Sequence, residues 1–82
     1  MSIENGRVVL CLAGRDKGTF AAVVGSTANT VLIADGKHRP LENPKMKNLK
    51  HVKVTAYRLN NSDMATDRGL RRALTLLAAT DL

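Results

Sequence analysis

Residues 6–24 constrain the chain most. Gly6-Arg7-Val8-Val9-Leu10-Cys11-Leu12 and Thr19-Phe20-Ala21-Ala22-Val23-Val24 are two apolar runs rich in β-formers, joined by the short charged turn Ala13-Gly14-Arg15-Asp16-Lys17-Gly18. Side chains alternate along a strand, so Val9 and Cys11 point one way while Val8, Leu10 and Leu12 point the other. Both faces of this first strand are apolar, and each needs a cover. The pair therefore predicts an antiparallel hairpin with something packed on its second face.

Downstream, Gly25 to Asn29 reads as a turn and Thr30 to Ala34 as a third strand. Asp35-Gly36 is the strongest hairpin signal in the chain, because a type I′ turn requires positive φ at both central positions, and Lys37 to Leu41 is expected to pair back as the fourth strand. Glu42 to Asn48 reads as a polar, basic loop around Pro44. Leu49 to Tyr57 reads as a fifth strand with Leu49, Val52 and Val54 as its apolar residues, and its imperfect alternation also admits a one-turn 3₁₀ element near Leu49. Five short strands at close spacing fit a small barrel, which closes the sheet and removes exposed edges.

The tail changes period. Leu70, Ala73, Leu74, Leu77 and Ala78 recur with the spacing of one helix face. Thr66 or Ser62 supplies the N-cap, and Asp67 lies at the favourable positive end. Gly69 costs roughly 1 kcal/mol inside a helix, so the start is expected to fray or shift. This helix is predicted to cover the second apolar face of the first strand. Residues 1–58 form the barrel in this reading, and residues 59–82 form a hinge at Asn60-Asn61-Ser62-Asp63 and the C-terminal amphipathic helix of the same domain.

With 82 residues the chain makes one domain. Folding at this size buries only roughly 60–65% of the unfolded surface, which leaves little room for a deep catalytic cleft. A hydrophobic content of 44% with 24% charged residues argues against disorder. The single cysteine, Cys11, cannot form an internal disulfide and suits a reducing compartment. The start Met-Ser-Ile-Glu-Asn-Gly lacks the features of a signal peptide, and no apolar run approaches the roughly 18 residues of a membrane span, so a cytoplasmic location is expected.

The formal net charge is +6, from 13 Lys and Arg against 7 Asp and Glu, and it is unevenly placed. Lys37, Arg39, Lys45, Lys47, Lys50 and Lys53 are opposed within their segment only by Glu42. Such a concentration predicts a polyanionic partner, with nucleic acid ahead of an anionic membrane surface. The segment contains Pro40 and Pro44 and has no helical period, so it lacks the basic amphipathic helix that membrane binding uses.

Gly6, Val9, Gly14, Lys17, Gly18 and Val23 carry a resemblance to the KOW motif, the hairpin of small SH3-like barrels in ribosomal proteins and NusG-type elongation factors. Many KOW hairpins have a further glycine where this chain has Ala21. Residues 37–51, with Arg39-Pro40, Pro44-Lys45 and Asn48-Leu49-Lys50-His51, resemble the region after that hairpin in archaeal and eukaryotic KOW-type large-subunit ribosomal proteins. The likeness covers residues 6–53 and leaves the helical tail outside it. It implies a mostly β fold, a small SH3-like five-stranded barrel, to which the helical periodicity of the tail adds a C-terminal helix packed on it, and an RNA-binding role associated with ribosomes or ribosomal RNA. It further implies RNA contact by Arg15 and Lys17, with Asp16 acting through packing or turn capping.

A loop restrained by two prolines can neutralise phosphates at reduced ordering entropy, releasing counterions and making affinity steeply salt-dependent. The expected RNA-binding set is Arg15, Asp16, Lys17, Lys37, Arg39, Lys45, Lys47, Asn48, Lys50 and His51, against the plainer reading of a solvated face. Replacing Lys45, Lys47 and Lys50 by Glu is expected to lower RNA affinity with little change in thermal midpoint. Only Phe20 and Tyr57 are aromatic, with Phe20 expected in the core, so structured RNA read by phosphate and shape is favoured over a strand stacked base by base. The same scarcity argues against an aromatic cage for methyl-lysine.

His38, His51 and Cys11 match no zinc spacing, and no nucleophile elbow, phosphate loop or paired-acid constellation is present, so neither a cofactor nor catalysis is expected. Arg68, Arg71 and Arg72 lie off the apolar stripe; they extend the basic surface, meet an acidic partner or are simply solvated. The competing function is a protein-interaction module of the translation or transcription machinery, with the helix stripe as a contact for a partner or a second copy. Salt response separates the two, because an apolar interface weakens little with salt.

Overall fold

In the computed structural model, which describes residues 3–81, the two-faced first run is strand β1, Arg7–Cys11. It pairs antiparallel with β2, Phe20–Ser26, and on its other side with β5, Val52–Arg58. Strand β3, Thr30–Ala34, follows β2, and β4, Lys45–Asn48, pairs with β3. The result is a five-stranded antiparallel sheet in the order β4-β3-β2-β1-β5, with β4 and β5 as its two edges and the sheet not closed. A one-turn 3₁₀ helix at Leu49–His51 joins those edges, as the broken alternation near Leu49 anticipates. Helix α1 spans Asp67–Asp81.

The alternation in β1 sorts the apolar residues into two clusters. Val9 and Cys11 pack with Ala21, Val23, Val31, Ile33 and Val52 on one face, and Leu49 and Ile3 pack against them. Val8 packs with Ala22 and Ala34 on the opposite face, beneath Leu70 and Leu74 of α1. Although it leaves Leu10 half-buried and Leu12 exposed, the helix therefore covers the second face at Val8, as the sequence predicts. Leu70 is fully buried there, a contribution of about 2 kcal/mol. The pairing register shifts between Arg7 and Val9 and between Val23 and Gly25, which interrupts the regular ladder on both sides of the β1–β2 pair.

Thr66 is the N-cap: its Oγ1 accepts from the Gly69 amide at 3.0 Å, with Gly69 in the first turn of a helix that begins at Asp67. Asp67 does more than face the helix dipole, since its Oδ1 also accepts from the Leu41 amide at 2.7 Å and ties the β3–β4 loop to α1. Gly36, at φ +79°, lies so close to the helix that an added Cβ would meet the Asp67 carbonyl oxygen and the Arg71 nitrogen. The segment between β5 and α1 is a structured turn in which Asn60 Oδ1 accepts from the Asp63 amide at 2.8 Å.

The fourth strand differs from the expectation. Lys37 to Leu41 does not pair with β3; Lys45–Asn48 does, within the segment read as a loop. Asp35 explains the difference. Its side-chain Oδ1 accepts from the Lys37 and Arg39 amides at 2.8 and 2.9 Å, capturing N–H groups from the segment expected to return as a strand. No non-glycine residue among those described has positive φ, so Asp35-Gly36 is not a type I′ turn. Pro40 offers no N–H either, and ladder pairing resumes only after Pro44.

Cys11 is 1% exposed, and burial pushes its thiol above the ordinary value of 9.0, outweighing the opposing influences of the neighbouring Thr19 side chain and the charge of Lys47. A thiol held neutral is a poor nucleophile. Cys11 is expected to resist a thiol reagent in the native protein and to react promptly in denaturant; equal rates would contradict this burial. Because the folded-state value is raised, the stabilisation is complete below pH 9.0 and is lost as pH rises toward the folded value.

Candidate nucleic-acid interface

The β1–β2 loop is built by its glycines and by backbone hydrogen bonds. Gly14 and Gly18 have φ of +79° and +85°, a region costly for other residues. The Lys17 amide donates to the Gly14 carbonyl at 3.2 Å, and the Gly18 amide to the Cys11 carbonyl at 2.8 Å. Thr19 donates both its amide and its hydroxyl to the Asp16 carbonyl. Arg15 and Lys17 are exposed, whereas the Asp16 side chain between them is only 13% exposed.

The Asp16 carboxylate faces two cations from elsewhere in the fold. Lys47 Nζ lies 3.4 Å and Arg39 Nη2 3.6 Å from Asp16 Oδ2, both in ion-pair range. Lys47 Nζ also donates to the Ala13 carbonyl at 3.2 Å. In the β3–β4 register Lys47 stands opposite Val31, on the inner face, so its stem lies beside the core while its ammonium reaches the β1–β2 loop. An inward-pointing charge on an edge strand also discourages pairing with another chain. One acid thus fastens the hairpin loop, the β3–β4 loop and β4 together.

This arrangement divides the expected binding residues. Arg15, Lys17, Lys37, Lys45, Lys50 and His51 are exposed. Lys47 is buried, with 9% exposure, and Arg39 is half-buried. The expectation that Lys45, Lys47 and Lys50 can be replaced together with little change in thermal midpoint does not fit this placement, because Lys47 is part of the internal pair. Asn48 accepts from the Lys50 amide at 2.9 Å and caps the 3₁₀ turn. The Leu12 amide donates to the His51 carbonyl at 2.8 Å, which brings that turn and Lys50 beside the hairpin loop.

Glu4 pairs with Arg7 and Arg58, each at 2.8 Å. Among the described residues, Arg15, Lys17, Lys37, Lys45, Lys50 and Lys53 have no acidic side chain within 4 Å. Of the acids near the hairpin and in the β3–β4 loop, Asp16 is engaged by cations and Asp35 and Asp67 by backbone amides, while Glu42 is exposed and has no cation within 4 Å among the described residues. With six such cations against Glu42, the uncompensated outward charge is predominantly cationic, a pattern suited to phosphates.

Lys37 and Lys53, with His38 and Arg71, also line an open groove of about 660 Å³ between α1 and the sheet. Lys53, His38 and Arg71 are not in the sequence-derived set. Lys53 faces the groove because it pairs with Leu10 on β1, a register invisible in the sequence, although its charge already counted in the basic segment. Phe20, expected in the core, is half-buried and lines the same groove. No group of three or more His, Cys, Asp or Glu side chains among the described residues can hold a metal ion, and no helix among them is long and apolar enough to cross a membrane.

No protein-family model matches the sequence, and no curated protein matches it either.

Proposed function

We propose that this protein is a cytoplasmic RNA-binding module of the KOW class, associated with ribosomes or ribosomal RNA, that acts by binding phosphates of structured RNA rather than by turnover. The observation that carries this reading is the inward turn of Asp16, which leaves Arg15 and Lys17 as the outward charges of a rigid hairpin loop beside Lys50. A loop whose backbone is already held loses less conformational entropy on binding than a mobile one. The resemblance in residues 6–53 points the same way.

The fold belongs to this reading as an SH3-like barrel. Two observations support it. The inner cluster of Val9, Cys11, Ala21, Val23, Val31, Ile33 and Val52 is buried with only Ile3 and Leu49 added to it among the described residues, which calls for a strongly curled sheet. The 3₁₀ turn and the inward Lys47 also link β4 to the β1 side of the sheet.

Sedimenting ribosomes from cells that produce the tagged protein, at low and high salt, tests the assignment. The expected result is co-sedimentation with the large subunit at low salt, release at high salt, and release by RNase. Retention at high salt after RNase treatment would favour an apolar protein interface and overturn the phosphate reading.

A further inference from the structure

We propose that the groove between α1 and the sheet receives a single unstacked nucleotide of the bound RNA, with its base on the apolar floor and its phosphate among the rim cations. This rests on the RNA-binding reading above and names a subsite within it.

The floor is Leu10, Phe20, Leu74 and Ala78, contributed by β1, β2 and α1. Leu10 and Phe20 are directly opposed in the ladder, so they form one contiguous apolar surface. Lys37, Lys53 and Arg71 reach the same groove from the β3–β4 loop, β5 and the helix. None of the three has an acidic side chain within 4 Å among the described residues. Asp35 is the one acid on the wall among the described residues, and its Oδ1 already accepts two backbone amides.

An apolar floor with one accessible aromatic ring and three unpaired cations is complementary to a ligand that is flat and apolar at one end and anionic at the other. A nucleotide has that form, and bases stack on aromatic rings with little sequence preference. The groove's about 660 Å³ lies within the range of small-ligand sites. A lone ring is too little to hold a run of stacked bases. It is enough for one base presented by a bulge or loop of an otherwise paired RNA.

The test compares two RNA hairpins of equal length, one fully paired and one with a single-nucleotide bulge carrying a fluorescent adenine analogue. Wild-type protein is expected to bind the bulged hairpin about tenfold more tightly and to change the fluorescence of the bulged base. Thr75→Trp, on the exposed helix wall of the groove, is expected to abolish that preference while leaving affinity for the paired hairpin unchanged. Arg71→Glu is expected to reduce the preference without removing the core contact of Leu74. Equal, salt-sensitive binding of both hairpins by the wild type would overturn the nucleotide subsite and leave the phosphate surface standing. Failure to bind either hairpin would overturn both. Adenosine monophosphate binding as tightly as the bulged hairpin would overturn the RNA as the source of the nucleotide.

Discussion

Lys47→Glu is expected to lower the thermal midpoint by about 10 °C or more, whereas Lys45→Glu on the same strand shifts it by no more than about 3 °C. The two lysines carry the same formal charge and sit in the same basic run. Lys45 is exposed, while Lys47 turns inward and places its ammonium 3.4 Å from Asp16 Oδ2 and 3.2 Å from the Ala13 carbonyl. Reversing that charge sets a second carboxylate against Asp16 in a water-poor site and leaves the loop carbonyl without its donor. Breaking a largely buried pair costs about 2–4 kcal/mol, and about 4–8 °C of midpoint accompanies each kcal/mol in a domain of this size. Adding Asp16→Asn to Lys47→Glu removes the like-charge repulsion and is expected to recover part of the loss. Thermal unfolding of the four proteins checks this; a Lys47→Glu midpoint equal to that of Lys45→Glu would show that the inward pair contributes nothing.

Removing the outward cations should leave the fold intact and disable binding. The triple variant Arg15→Ala, Lys17→Ala, Lys50→Ala takes away three side chains that have no acidic partner among the described residues. If each neutralises one phosphate, affinity for structured RNA falls on the order of a hundredfold near physiological salt, and the log-log salt slope becomes shallower by about 2–3. The thermal midpoint is expected to stay within about 3 °C of wild type, because exposed unpaired cations contribute little to stability. Filter binding across a salt series measures affinity and slope together. A variant that binds as the wild type does would remove these three residues from the interface.

The sheet's first three strands and the helix were legible because each rests on a local pattern. Val8, Val9 and Cys11 announce a two-faced strand, and Leu70, Leu74 and Leu77 announce its cover. The fourth strand was not legible, because Asp35 bonds to amides two and four residues ahead, and side-chain capture of the backbone competes with a hairpin that looks equally good in sequence. The site divides in the same manner. Arg15 and Lys17 are readable from their place in a glycine-bounded turn. The separate role of Lys47 depends on strand register, which decides whether a residue of β4 faces solvent or the interior, and one residue of slip would reverse it. Lys53 and Arg71 meet across the groove only once β1 has brought β5 and α1 together. Nothing in their spacing along the chain predicts that meeting.

The salt dependence of wild-type binding to a structured RNA tests the central claim most directly. Six outward cations, Arg15, Lys17, Lys37, Lys45, Lys50 and Lys53, predict a log-log slope of about −4 or steeper when all engage phosphates. A slope near zero, or no measurable binding at low salt, would contradict an interface built on phosphate contacts.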